Sequence, residues 1–323
     1  MNKKLKVLGI GLFSLLLVGC AGGSEARQVS GEETNSKELD QVVEIENGDH
    51  TLTFTEVPTR AISLNQHVTE VMLALGLEEH MVGTAYLDDE VLPEFKEAYD
   101  GIPVIADQYP SQEVFLDKEP DFAYAGWGSA FREDNIGTVE QLAAFGVQAY
   151  LHQSSTLVGP EMDDIFQDIL NVAKIFDVEE RGEELINSIE QELTSLQKEI
   201  PESEASKRIF VFDSGETAPL TVGRNFLNEI ITMAGATNIF KDLDKNWGEV
   251  SFEEVVERDP EVIVVMDYGE TTAEEKIEQL MRHPALTAVT AIKEENFIVM
   301  PLSAAAEGVR VGSALRIMIE GLY

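Results

Sequence analysis

Two stretches of the chain repeat one phrase. "SQEVFLDKEPDFAYA", from Ser111, and "SFEEVVERDPEVIVV", from Ser251, each run Ser, any residue, Glu, a mostly apolar turn or two, an acid, Pro, another acid, then an apolar run. Ser111 stands as far from Pro120 as Ser251 does from Pro260, and 140 residues separate the copies. In each copy the Ser is placed to cap a helix whose first turn carries the Glu, and the helix leads through an acidic-Pro corner into a core strand. Either copy alone would mean little. Two in equal register constrain the chain to two similar lobes related by a pseudo-twofold axis, each showing a glutamate, Glu113 or Glu253, at the same place on its surface.

The intervening sequence fills in those lobes. "VVEIENGDHTLTFTEVP" alternates apolar and polar residues around Asn47-Gly48, a hairpin signal. "RAISL", "MVGTAYL", "IPVI", "DFAYA" and "VQAYL" read as strands, with helical patterns in "VTEVMLALGL" and "VEQLAAF". Strands alternating with helices on short connections predict a parallel, helix-covered sheet. From Pro160 the character changes. Ile165, Ile169, Val172 and Phe176, then Leu185, Ile189, Leu193, Leu196 and Ile200, recur at helical spacing, and Pro201 stops the second run. After "PESEASK" the alternation resumes, with strands in "RIFVFDS", "EVIVVMDYG" and "NFIVM" and helices in "NFLNEIITMAG" and "VGSALRIMIEGL". The predicted fold class is α/β, with a lobe over residues 40–159, a helical connector over 160–200 and a second lobe over 201–323.

Residues 1–20 belong to neither lobe. Lys3, Lys4 and Lys6 precede a short apolar run from Val7 to Val18, the layout of a signal peptide and too short for a comfortable permanent span. Cys20 is the only cysteine, so no disulfide can form within the chain. Leu17-Val18-Gly19-Cys20 resembles the lipobox of bacterial lipoproteins, in which the thiol takes a diacylglyceryl group and becomes the mature N-terminus. Residues 21–39, rich in Gly, Ser and Glu, are expected to be a disordered tether. The protein is thus expected on the outer face of the cell membrane, held by lipid on Cys20. The formal charge is −37, and −40 without the three leading lysines, a surface that repels nucleic acid and anionic headgroups.

The hairpin leading into "RAISLNQHVTEVMLALGL", the "EPDFAYAG" corner, the helix ending "MAGATNIF", "VSFEEVVERDPEVIVV" and "EGVRVG" together resemble the substrate-binding lipoproteins of ABC importers that carry ferric siderophores, haem and cobalamin. The resemblance covers roughly residues 45 to 320. It implies two α/β lobes with parallel-rich sheets joined by one long rigid backbone helix, a ligand cleft between the lobes, a monomer, and no catalysis. It also implies that Glu113 and Glu253 dock into arginine pockets on two permease subunits.

The cleft is expected at the C-terminal ends of the strands and the helix starts that follow. Asn65 and His67 in "SLNQHVTE", Tyr86 in "VGTAYLDD" and Trp127 in "AYAGWGSAF" take such places in the first lobe, with Phe131 and Arg132 on the rim. Arg224 in "LTVGRNFL", Trp247 in "DKNWGEVS", Asp267 and Tyr268 in "VVMDYGE", and Arg310 in "EGVRVG" do so in the second. His67 is equally placed to cap its helix, and Trp247 to pack the lobe edge. Aromatic faces would stack on a chelate, and Arg224 and Arg310 would clamp its carboxylates or phenolates. The two arginines favour an anionic ferric siderophore over near-neutral cobalamin; haem, for which His67 or Tyr86 could serve as axial ligand, stays an alternative that nothing selects. Bare zinc or manganese would need three or four convergent ligands, and among His50, His67, His80, His152 and His283 no pair has i, i+4 spacing. No metal is therefore assigned to the protein itself, and neither a cofactor nor an enzymatic activity is expected. No "GxSxG", "HExxH" or glycine-rich phosphate loop is present.

Overall fold

The computed structural model describes residues 37–201 and 205–323; the leader, Cys20 and most of the expected tether lie outside the described residues. The hairpin opens the described chain. Strand β1 (Glu38–Asn47) pairs antiparallel with β2 (His50–Glu56), with Asn47 opposite His50. The turn puts Gly48 at φ 61°, a left-handed conformation that glycine adopts without the penalty of a Cβ. Val43, Ile45, Leu52 and Phe54 point into the core while their neighbours face solvent. Glu38 already pairs with Glu56, so residues 38 and 39, expected in the tether, belong to the hairpin.

The first lobe carries β3 (Ala61–Leu64), β4 (Met81–Ala85), β5 (Val104–Ala106), β6 (Phe122–Ala125) and β7 (Gln148–Leu151). They form one parallel sheet in the order β5-β4-β3-β6-β7, so the winding reverses between β3 and β6. The second lobe carries β8 (Arg208–Phe212), β9 (Leu220–Val222), β10 (Thr237–Asn238), β11 (Trp247–Glu249), β12 (Val262–Asp267) and β13 (Phe297–Pro301). Its parallel sheet runs β10-β8-β12-β13 and reverses between β8 and β12, while β9 and β11 form a separate antiparallel ribbon. That ribbon is absent from the sequence expectation because strands of three residues, one of them containing Gly248, show no period.

Both sheets are buried on two faces, which explains the unbroken apolar runs of their central strands. Val262, Val264 and Met266 of β12 enter the core that also holds the inner face of the first lobe and the connector; Ile263 and Val265 enter a second core on the outer face.

The repeated phrase is repeated in space. Ser111 and Ser251 are both N-caps, accepting hydrogen bonds from the backbone N–H of Val114 and Glu254, and Glu113 and Glu253 both stand exposed at the second helical position. Before each proline the chain turns through a left-handed residue, Glu119 at φ 49° and Asp259 at φ 42°. An arginine at the foot of the adjacent strand seals that turn: Arg60 Nε donates to the Glu119 carbonyl at 2.7 Å, and Arg208 Nε to that of Asp259 at 3.0 Å. The acid after each proline takes the arginine's own backbone N–H, Asp121 at 2.9 Å and Glu261 at 3.0 Å. The acid-Pro-acid half of the phrase thus ties β6 to β3 and β12 to β8, the two strands flanking each reversal.

The connector is two helices. Met162–Ile175 ends where Asp177 takes φ 56°, with Val178 N–H bonded to Ala173 O and Asp177 N–H to Lys174 O, a Schellman stop built on Asp rather than Gly. The long backbone helix is Glu179–Gln197, its 19 residues spanning about 28 Å. Near its start Arg181 donates to Leu75 O and Gly76 O of the first lobe; further along it packs on the Val311–Leu322 helix of the second.

Candidate functional site: the interlobe cleft

In doubly wound sheets ligands collect beyond the C-terminal strand ends where the winding reverses. In the first lobe that point lies between Asn65–His67, after β3, and Gly126–Trp127, after β6. The buried helix Gln66–Ala74 places His67 one residue past its start, 2% exposed. Its ring lies 5.1 Å from that of Trp127 and 5.4 Å, edge-on, from that of His152. Glycines make room for it on two sides. A Cβ on Gly126 would fall 2.2 Å from the ring's Cε1, and one on Gly308, from the second lobe, 2.9 Å from His67 Cβ. Neither ring nitrogen has a hydrogen-bond partner, and burial, reinforced by His152, holds the His67 pKa well below the usual histidine value. His67 is a neutral, unsatisfied imidazole at the seam between lobes.

His152 follows β7 and is held from behind. Its Nδ1 is 2.6 Å from Tyr124 Oη and its Nε2 3.5 Å from Asp168. Asp168, buried on the first connector helix, accepts hydrogen bonds from Tyr150 Oη at 2.6 Å, Gln153 N–H at 2.9 Å and Ser154 N–H at 2.8 Å. This carboxylate fixes the 152–155 loop, whose Ser155 donates to Glu307 of the second lobe at 3.1 Å. Burial pushes the Glu307 carboxyl above the usual range.

A cavity of about 220 Å³ lies between the lobes. Trp127 and Ser155 line it from the first lobe, and Asn225, Asn246, Trp247 and Glu307 from the second. Asn225 Oδ1 and Asn246 Oδ1 are buried without partners, as is Nδ2 of Asn65, whose Oδ1 accepts from Tyr109 Oη at 3.0 Å. Tyr86, at φ 60°, sets its ring edge-on 4.6 Å from Tyr109. Tyr268 stands at the second lobe's reversal point and donates to Asp213 at 2.9 Å; burial, then Asp213, raises its pKa.

The two expected clamp arginines are engaged elsewhere. Arg224 is exposed at the cleft mouth and pairs with Asp244 at 2.9 Å. Arg310 is buried against Glu70 of the first lobe at 2.6 Å. Phe131 lines a separate surface pocket beside the β1–β2 turn, and Arg132 is exposed. His152, Asp168, Glu70 and Glu307 are absent from the sequence expectation. His152 stands at a strand end as His67 does, since "HQSS" follows the strand "VQAYL".

Two α/β lobes on a helical connector, with aromatic rings and unpaired polar atoms where they meet, define an extracytoplasmic solute-binding protein of an ABC importer, a component that captures rather than converts. The chain belongs to the periplasmic binding protein family, whose model matches residues 62–304. It is 28% identical over 216 residues to the vitamin B12-binding protein of Vibrio parahaemolyticus, covering 66% of this chain and 72% of that one. It is 22% identical to an uncharacterized ABC transporter substrate-binding lipoprotein of Bacillus subtilis, covering 82% of this chain and 81% of that one. Among solved structures, a periplasmic binding protein from Veillonella parvula superposes with a TM-score of 0.80 at 30% identity, covering 87% of this chain and 97% of that one.

Proposed function

We propose that the protein captures a corrinoid between Trp127 and Trp247 and hands it to its permease. The observation that carries this reading is the chemistry of the unpaired groups: amide atoms of Asn65, Asn225 and Asn246 and the neutral imidazole of His67, with two indoles, while Arg310 is buried against Glu70. A near-neutral macrocycle rimmed with amides suits such a lining. An anionic ferric siderophore, preferred from the sequence for the sake of Arg224 and Arg310, loses the support of Arg310, which is buried against Glu70, and keeps only Arg224, whose pair with Asp244 is exposed. Several relatives of 26–29% identity are named vitamin B12-binding proteins, which points the same way. The cavity, about 220 Å³, falls below the roughly 300–1,000 Å³ of ordinary ligand pockets, so a corrinoid enters only as the lobes part.

Delivery rests on Glu113 and Glu253, each exposed at the same turn of its lobe and each meeting an arginine of one permease subunit. The thiol of Cys20 carries the lipid that keeps the protein at the membrane. Titration with cyanocobalamin, haem and a ferric hydroxamate, read by tryptophan emission, tests the ligand. Cyanocobalamin is expected to bind with a Kd between about nanomolar and micromolar. Binding of the ferric chelate with none of cyanocobalamin refutes the reading.

A further inference from the structure

Along the connector the lobes share one apolar core, whereas at the cleft they touch through polar groups. One of these contacts stands apart. Glu70, fully buried on the His67 helix, receives Arg310 in a fork: Nε donates to Oε2 at 2.7 Å and Nη2 to Oε1 at 2.6 Å. Arg310 also donates to the Glu90 carbonyl at 2.5 Å and lies 3.5 Å from Asp89 Oδ2, which in turn accepts from Ser303 Oγ at 3.0 Å. Glu70, Asp89 and Glu90 belong to the first lobe, Ser303 and Arg310 to the second. Arg310 follows Gly308, the residue packed on His67, by two positions.

We infer that Glu70 and Arg310 form an interlobe latch that holds the cleft shut until ligand enters. A bidentate, charge-assisted pair is strong and directional, so it fixes one relative placement of the lobes. Because both charges are withdrawn from water, the pair adds little to net stability and much to geometry. Each half also keeps partners in its own lobe. Glu70 accepts from Gln66 Nε2 at 3.1 Å and Leu92 N–H at 3.0 Å, and Arg310 donates to Ser303 Oγ at 3.1 Å. Opening therefore wets two half-satisfied groups instead of stranding two bare charges, which makes the latch reversible. This goes beyond the proposed ligand, since the latch acts before any ligand is bound.

The protein carries its own reporters. Its two tryptophans, Trp127 and Trp247, line the cavity from opposite lobes. In the ligand-free protein, Glu70→Gln and Arg310→Gln are each expected to red-shift the emission and raise the acrylamide quenching constant. The double variant should go no further than either single one. Arg310→Lys, which keeps the charge but loses the fork, should fall between. Far-UV circular dichroism identifies folded variants. Unchanged emission and quenching in a folded Glu70→Gln or Arg310→Gln protein overturns the latch. If those variants unfold, Arg310→Lys decides, and its unfolding overturns the latch too, because a reversible contact is not needed for folding. No ligand enters this measurement, so its failure leaves the corrinoid titration intact, and the converse holds.

Discussion

Gly126→Ala adds one methyl group, and the structure says where it goes. The new Cβ would lie 2.2 Å from Cε1 and 2.4 Å from Nε2 of His67, with Asn65 Cβ at 3.1 Å. Carbon atoms in contact settle near 3.5–4.0 Å, so the ring must retreat by about 1 Å or more. It has no room, with Trp127 and His152 against it and Gly308 covering its base. Gly126 is not among the residues with positive φ, so backbone strain plays no part and the cost is overpacking alone. Overpacking of this kind costs about 1–3 kcal/mol. At about 2–4 °C per kcal/mol for a body of this size, the melting temperature should fall by about 2–12 °C. The assay is thermal unfolding of four proteins: wild type, Gly126→Ala, His67→Ala and the double variant. Removing the ring removes the worst clash and leaves only the 3.1 Å approach to Asn65 Cβ, so Gly126→Ala should cost much less in the His67→Ala background, a coupling of about 1–3 kcal/mol. A Gly126→Ala protein as stable as wild type, or a penalty undiminished without the ring, refutes the account of the seam.

Three further outcomes follow from the same side chains and from the two ends of the transport chain. Because His67 stays neutral when folded and takes up a proton when unfolded below about pH 6.5, its contribution to stability is complete above that pH. It is lost as pH falls, with a slope of up to about 1.4 kcal/mol per pH unit, and His67→Gln should flatten the slope measured by urea unfolding between about pH 6.5 and 5. The double variant Glu113→Ala, Glu253→Ala should bind cyanocobalamin like wild type yet fail to support uptake in cells lacking the native copy. Truncating one partner of a desolvated charge pair costs about 2–5 kcal/mol, so normal uptake at limiting ligand would show these to be ordinary surface acids. Cys20→Ala should abolish incorporation of labelled fatty acid, and undiminished labelling would exclude lipid attachment there.

The elements that the sequence displays are those built from near neighbours. The Asn47–Gly48 turn, the serine caps and the Ile165 and Leu185 runs depend on residues two to four positions apart, and their periods survive in one dimension. The repeated phrase even showed two lobes, because a duplication is visible at any distance. Its second half reads only as a corner. That Arg60 and Arg208 seal it emerges only in the sheet, where the arginine and the turn sit on adjacent strands some 60 and 50 residues apart in sequence.

The cleft divides along the same line. Strand ends single out His67 and Trp127 in the sequence, since a parallel sheet delivers its C-terminal residues to one edge, and the structure sets their rings 5.1 Å apart. Their neighbours had no such mark. His152 meets His67 because β3, β6 and β7 lie side by side, not because of any spacing between the histidines. In the sequence Arg310 reads as a ligand clamp, and in a chain with 60 acidic residues nothing local says that its partner is Glu70, 240 positions earlier. Sequence alone determined the lobes, the connector and the exposed first-turn glutamates, because hydrogen-bond periods and caps are local. Which charges pair with each other, and which polar atoms stay unpaired at the seam, was decided only by tertiary structure. Desolvation and pairing depend on distances that chain order does not encode.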